Sequence, residues 1–213
     1  MYTNKQIASV LDLAVLRPTA TCKDVKIACD LANTFKIKSV CVPPIYVGLA
    51  NTMFDNVSAV IGYPHGNSMP DTKYREALQA MRDGAKELDV VINYGCFLDG
   101  DTIAVQTELV LIVMAARPCG VLVKAILETC HYTPDQIVAA CKLCADLGVD
   151  FVKTATGVVQ GATPGVVKLM IDAVRGRCGV KASGGICTYE DARVYLDLGC
   201  TRIGASSYSA LLR

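Results

Sequence analysis

Short apolar runs alternate along this chain with longer segments in which apolar residues recur every three to four positions. The short runs begin at Leu11 (LDLAVL), Ser39 (SVCVPP), Val57 (VSAVIGYP), Glu87 (ELDVVINY), Val121 (VLVKAIL), Asp150 (DFVKTATG), Gly179 (GVKASGG) and Thr201 (TRIGASS). They are too short for helices and mostly lack a polar face, which predicts buried strands. The segments between them carry helix ends as well as a helix period. In TPDQIVAACKLCADLG, Thr133 is placed as N-cap, Pro134 at the first helical position and Gly148 past the end. PDTKYREALQAMRDG, DTIAVQTELVLIVMAARP and TYEDARVYLDLG read the same way. The connection around Ile45 to Met53 is too short for a full helix.

Strand alternating with helix implies parallel pairing with right-handed crossovers, and eight such units close a (β/α)8 TIM barrel, a fold of the α/β class. The expected organisation is one barrel domain over residues 1–213. A doubly wound open sheet is the alternative, but it would carry a glycine-rich turn after the first strand, where LRPTATCKD stands instead. Composition fits the barrel. Hydrophobic residues make up 52% of the chain and charged ones 19%, as expected where each strand is covered on both sides.

Charge and composition then remove several function classes. The 21 basic and 20 acidic residues leave a formal net charge of +1, without the basic footprint of a nucleic-acid or membrane-surface protein. The longest apolar run, Leu109 to Ala116, is far below the ~20 residues that span a bilayer, so no transmembrane helix is expected. The start, MYTNKQIASV, has neither secretory nor transit features, and the expected compartment is the cytosol. Eleven cysteines at irregular spacing read mostly as reduced, buried thiols. Cys141 and Cys144 have C-x-x-C spacing, but inside a helical pattern with no second pair. His65 and His131 lie in loops without ligand-spaced partners. No metal and no cofactor are expected.

Lysines interrupt three of the apolar runs: Lys124, Lys153 and Lys181, in the fifth, sixth and seventh strands, with Asp89 in the fourth. One such lysine could pack its stem and extend its head to solvent. Three on adjacent barrel strands converge on the mouth, where strand ends look inward. Neighbouring ammonium groups disfavour one another's charge, and desolvation acts in the same direction. A neutral lysine attacks carbonyls and gives a Schiff base that serves as an electron sink for breaking a carbon–carbon bond. Asp89 could move protons or only balance charge. Ser183 to Gly185 and Gly204 to Ser207 close the last two strands, where barrels commonly build phosphate sites from loop amides, and Gly157 could add one more. A lysine nucleophile beside a phosphate cradle points to a sugar-phosphate carbonyl substrate.

The segments ELDVVINYG, VLVKAILET, DFVKTATG, VKASGGI and RIGASS, in this order, resemble the deoxyribose-phosphate aldolases, and LDLAVLRPTAT and SVCVPPIYV extend the match over nearly the whole chain. These class I enzymes join acetaldehyde to glyceraldehyde 3-phosphate. The resemblance implies Lys153 as the Schiff-base lysine, Lys181 as the cation that keeps it neutral, and Asp89 as the proton relay, supported by Asp12 and Lys124. It implies substrate or phosphate contacts at Thr156, Gly157, Gly184, Gly185, Gly204, Ser206 and Ser207, small-molecule phosphosugar and aldehyde partners, and a homodimer. Cys187 stands where many members have arginine, and Val158 where members vary between lysine and phenylalanine, so the phosphate here leans on amides. Another Schiff-base phosphosugar aldolase, a transaldolase-like barrel, or a non-catalytic sugar-phosphate-binding barrel are the competing readings.

Overall fold

The computed structural model describes residues 1–208 and 211. Strands β1 (Leu11–Ala14), β2 (Ser39–Val42), β3 (Val57–Ile61), β4 (Glu87–Val91), β5 (Leu122–Ile126), β6 (Phe151–Lys153), β7 (Gly179–Ser183) and β8 (Arg202–Ala205) pair in parallel, in chain order, and close into a barrel. Helices α1 (Asn4–Ala8), α2 (Cys22–Phe35), α3 (Val47–Asn51), α4 (Pro70–Arg82), α5 (Tyr94–Leu98), α6 (Thr102–Ala116), α7 (Pro134–Asp146), α8 (Pro164–Val174) and α9 (Tyr189–Leu198) connect the strands, with α1 preceding β1. This is the (β/α)8 barrel the pattern predicts. Where the β2 connection looked short, a 3-10 turn at Pro44–Tyr46 runs into the short α3.

Threonines start the helices at the expected places. Thr21, Thr133 and Thr188 each accept from the backbone of the third helical residue, whose side chain reaches back to the cap. Each reciprocal cap satisfies two otherwise orphaned N–H groups. These caps fix where the chain turns from strand end to helix, and so fix the loops at the barrel mouth.

Because strand side chains alternate, the barrel has two interiors of opposite character. Toward the helices, Val40, Leu88, Val90, Val123, Val152, Val180 and Ile203 are buried in one apolar shell. Truncating a side chain such as Leu88, which is fully buried, to alanine removes ~2–5 kcal/mol by lost transfer energy and cavity formation. Toward the axis, Asp12, Ser39, Ser58, Glu87, Asp89, Lys124, Lys153, Lys181 and Arg202 are buried instead. Branched apolar layers normally fill that space. Here a charged network takes up much of it, with Val60, Val91 and Ile126 on the same strand faces.

One expectation needs its grounds restated and another needs correction. The helix α6 and its following 3-10 turn (Thr102–Cys119) form, among the described residues, the one helix long and apolar enough by length and composition to cross a membrane, with mean hydropathy 1.4. The apolar run from Leu109 to Ala116 alone understated it. Val105, Leu109, Ile112 and Ala116 of this helix pack into the shell, and its Glu108 meets Lys73 of α4 at 2.6 Å, so it forms part of the barrel's outer layer. Second, all the cysteines are free, but Cys22, Cys119, Cys130 and Cys187 are exposed. They sit at a helix start, in 3-10 turns and in a loop, where apolar neighbours in sequence do not mean burial. Cys141 and Cys144 are both buried on the inner side of α7.

Candidate active site

The pairing register brings the charged strand residues together. Lys153 lies beside Lys181, Lys181 beside Arg202, and Asp89 beside Lys124. Asp89 is the hub. Its Oδ2 accepts from Lys153 Nζ at 2.8 Å and from Lys181 Nζ at 2.7 Å, while its Oδ1 accepts from Lys124 Nζ at 2.6 Å and Ser58 Oγ at 2.9 Å. Asp12 is the second hub. Its Oδ1 accepts from Ser39 Oγ at 2.7 Å and from Arg202 Nε and Nη2 at 3.0 and 2.6 Å. Its Oδ2 lies 2.5 Å from Lys181 Nζ, an ion pair by distance without the alignment of a hydrogen bond. Glu87 closes the circuit, 2.5 Å from Lys124 and bonded to Arg202.

Four cations (Lys124, Lys153, Lys181, Arg202) thus face three carboxylates (Asp12, Glu87, Asp89), one formal positive charge in excess. Burial alone would raise the Asp89 carboxyl, yet Lys124, Lys153 and Lys181 together hold it well below the usual carboxylate range. Burial likewise opposes ionisation of Asp12, and Lys181, Lys124 and Arg202 override it. Lys124 is the converse case. Burial disfavours its charge, but Asp89, Asp12 and Glu87 raise it above an ordinary lysine. It is a fixed ammonium, unsuited to attack a carbonyl.

Above this network opens a cavity of about 390 Å³. Lys153, Lys181 and Asp12 line it, whereas Asp89 and Lys124 lie beneath and do not. Cys41 and Tyr63 contribute apolar wall on one side. Burial and the Asp89 charge raise the Cys41 thiol against the pull of the lysines, and burial, with Cys41 and Glu128 nearby, pushes the Tyr63 phenol up to about 12. Both are neutral groups in the neutral pH range.

Of the expected phosphate-side residues, Gly157, Gly184, Gly185 and Ser206 line the cavity. Ser207 is exposed beside them and does not. Thr156 lines it too, but its N–H (3.1 Å) and its hydroxyl both go to Glu128 Oε2. Both donors are thus engaged by Glu128. Gly204 lines the cavity with a different consequence: a Cβ there would stand 3.1 Å from Lys181 Cε and 2.9 Å from Ser183 Cβ. Its missing side chain makes room for the Lys181 stem.

Several residues of the site escaped the sequence reading. Glu87 and Arg202 lie two positions before Asp89 and Gly204, on the same strand face, so the period-two rule could have found them. Glu128, just past β5, is buried with a left-handed backbone (φ 53°), and nothing local in the sequence signals that. Gly161 is a third. A Cβ on it would lie 2.2 Å from the Gly184 carbonyl oxygen, so the loops after β6 and β7 pack backbone against backbone.

A parallel barrel with lysines paired to a carboxylate beneath an open cavity defines an aldolase of the barrel class. The chain belongs to the DeoC/LacD aldolase family, whose model matches residues 6–211. It is 42% identical over 207 residues to the deoxyribose-phosphate aldolase of Thermoanaerobacter sp. (strain X514), covering 94% of this chain and 93% of that one. It is 41% identical over 210 residues to that of Thermococcus kodakarensis, covering 95% and 94%. Among solved structures, the aldolase QR15 superposes with a TM-score of 0.92 at 34% identity, over 96% of this chain and 93% of that one. The deoxyribose phosphate aldolase of Aeropyrum pernix, described as a tetramer, gives 0.91 at 32%, over 98% and 90%.

Proposed function

We propose that this protein reversibly cleaves 2-deoxy-D-ribose 5-phosphate to D-glyceraldehyde 3-phosphate and acetaldehyde through a Schiff base on Lys153. The observation that carries the assignment of the nucleophile is a difference among the lysines. Lys153 lines the cavity and has one carboxylate partner, Asp89. Lys181 has two, Asp12 and Asp89, and Lys124 has three and lies below the floor. Lys153 is therefore the lysine least engaged by carboxylates and the one that faces the cavity.

In this reading the neutral Lys153 Nζ adds to the C1 aldehyde of the open-chain sugar, and the carbinolamine loses water to an iminium. A base takes the C3 hydroxyl proton, the C2–C3 bond breaks, and its electron pair moves into the iminium to give an enamine. Glyceraldehyde 3-phosphate leaves with the new carbonyl. Protonation at C2 and hydrolysis then release acetaldehyde and restore the lysine. Lys181 holds a positive charge beside Lys153 without joining the covalent chemistry, and Asp89 with Asp12 and Lys124 forms the buried relay through which protons are balanced. Gly157, Gly184, Gly185 and Ser206 are placed to receive the phosphate, and no cofactor enters any step.

The reading extends to residues 1–213 as one aldolase domain, to the cytosol as compartment, and to a homodimer. The outward face of α6, with Ile103 and Met114 exposed, supports self-association, which sedimentation would test. The chemistry is tested by borohydride reduction in the presence of 2-deoxyribose 5-phosphate, followed by peptide mass mapping. One adduct on the Lys153 peptide supports the assignment. An adduct on Lys181 or Lys124 reverses the roles, and none at all in a phosphosugar-binding protein leaves a non-catalytic barrel.

A further inference from the structure

The cations that line the cavity, among the described residues, are Arg17, Lys153 and Lys181. The two lysines lie on the floor in buried ion pairs with Asp89 and Asp12. The walls above them, Thr156 to Val158, Ser183 to Cys187 and Gly204 to Ser206, supply amides, hydroxyls and apolar groups but no positive charge. Behind Thr156 stands the carboxylate of Glu128, buried, with no ion-pair partner among the described residues. A phosphate monoester with nearly two negative charges at neutral pH would therefore find hydrogen-bond donors there, and no counter-charge.

Arg17 is placed to provide it. It stands in the loop between β1 and α2, and β1 pairs with β8 so that Leu13 lies beside Ala205. The loop carrying Arg17 therefore adjoins the one carrying Ser206. The guanidinium is held loosely, 3.3 Å from Asp24 Oδ1 with the Arg17 side chain 70% exposed, a pair of the kind that contributes little. The other Asp24 oxygen is engaged by Thr21, from N at 2.8 Å and from Oγ1 at 2.7 Å, so the helix cap survives if Arg17 leaves. A planar guanidinium also matches phosphate oxygens in a bidentate fork.

We propose that Arg17 is the specificity-determining residue for the substrate's phosphate, its guanidinium turning from Asp24 to the phosphate cradled by the loops after β7 and β8. This rests on the aldolase reading above and names the residue by which that site selects phosphorylated sugars.

The test compares the wild type with Arg17→Gln and Arg17→Lys, using 2-deoxyribose 5-phosphate and unphosphorylated 2-deoxyribose. Arg17→Gln is expected to raise KM for the phosphosugar and lower the preference for it in kcat/KM by about tenfold, the weight of one charged hydrogen-bonding contact at an exposed site. Arg17→Lys keeps an intermediate preference, and the salt sensitivity of KM weakens in Arg17→Gln. An unchanged preference in Arg17→Gln overturns the inference while the aldolase reading stands. If the wild type forms no borohydride adduct, that reading fails by itself. Calorimetric titration with inorganic phosphate then still decides on Arg17: about tenfold weaker binding in Arg17→Gln supports it, and equal binding overturns it.

Discussion

Lys153 and Lys181 stand side by side in register on β6 and β7 and donate to the same oxygen, Asp89 Oδ2, at 2.8 and 2.7 Å. The two ammonium groups share one acceptor, and Lys181 has Asp12 in addition while Lys153 does not. Lys153→Ala is therefore expected to lower kcat by more than about 10³-fold with the fold intact, checked by activity alongside circular dichroism. Lys181→Leu should lower the rate less, since Lys181 stays outside the covalent step while its loss leaves Asp12 and Asp89 each one ion pair short. Equal kcat for Lys181→Leu and wild type would sink the assignment of Lys181.

Arg202 does not line the cavity and offers an energetic test of the network. It is buried, bonds Asp12 and Glu87, and its guanidinium lies 5.6 Å from the centre of the Phe151 ring. Arg202→Met removes one cation and leaves two buried carboxylates short of a partner, at a cost of ~3–5 kcal/mol. The urea midpoint measures it. A loss below about 1 kcal/mol would mean that Lys124 and Lys181 neutralise the carboxylates unaided.

The barrel was legible because its two signals are local: apolar strand runs, and helix caps such as Thr133 with Pro134. The converging lysines were legible because a cation inside a covered strand is anomalous at any register. What stayed hidden depends on register and loop packing. Glu87 and Arg202 share a strand face with Asp89 and Gly204, a local signal, but only the closed sheet shows that they meet Lys124 and Asp12. For Thr156, which lines the cavity, the sequence does not show that Glu128, 28 positions earlier, takes both its donors. Gly204 was read as a phosphate amide, while the structure gives its missing Cβ a steric reason in Lys181.

The carboxylates make the fold acid-sensitive, with a sign that follows from their direction. Asp12 and Asp89 are both held below the usual carboxylate range in the folded protein, by lysines and Arg202 that override burial. As pH falls through about 4, the ordinary range for an unfolded carboxyl, the unfolded chain takes up protons that the native one refuses. Stability is therefore present above that pH and lost progressively below it. Lys124, held above an ordinary lysine, adds stability that is present at neutral pH and lost only in strong alkali. Urea midpoints are expected to be level near neutrality and to fall steeply below pH 4. A midpoint unchanged between pH 5 and 3 would contradict the charged network.

The contact between Gly161 and Gly184 tests whether the loop after β7 must be held where it is. Ala162 N donates to the carbonyl oxygens of Ser183 and Gly184, both at 3.1 Å, so the loop after β6 clasps the one after β7. Gly184 is itself at φ 87°, a conformation that favours glycine. Gly161→Ala adds one methyl that would lie 2.2 Å from the Gly184 oxygen, and backbone on both sides leaves no flexible side chain to yield. The loop after β7 must shift, carrying the amides of Gly184 and Gly185 with it, while Lys153 and Lys181 stay fixed in the strands. A displacement on the scale of an ångström weakens positioning by roughly ten- to hundredfold. KM for the phosphosugar should rise accordingly, and the yield of the Lys153 adduct at saturating substrate should hold. If adduct yield falls while KM does not change, the clasp serves the lysines and the phosphate lies elsewhere.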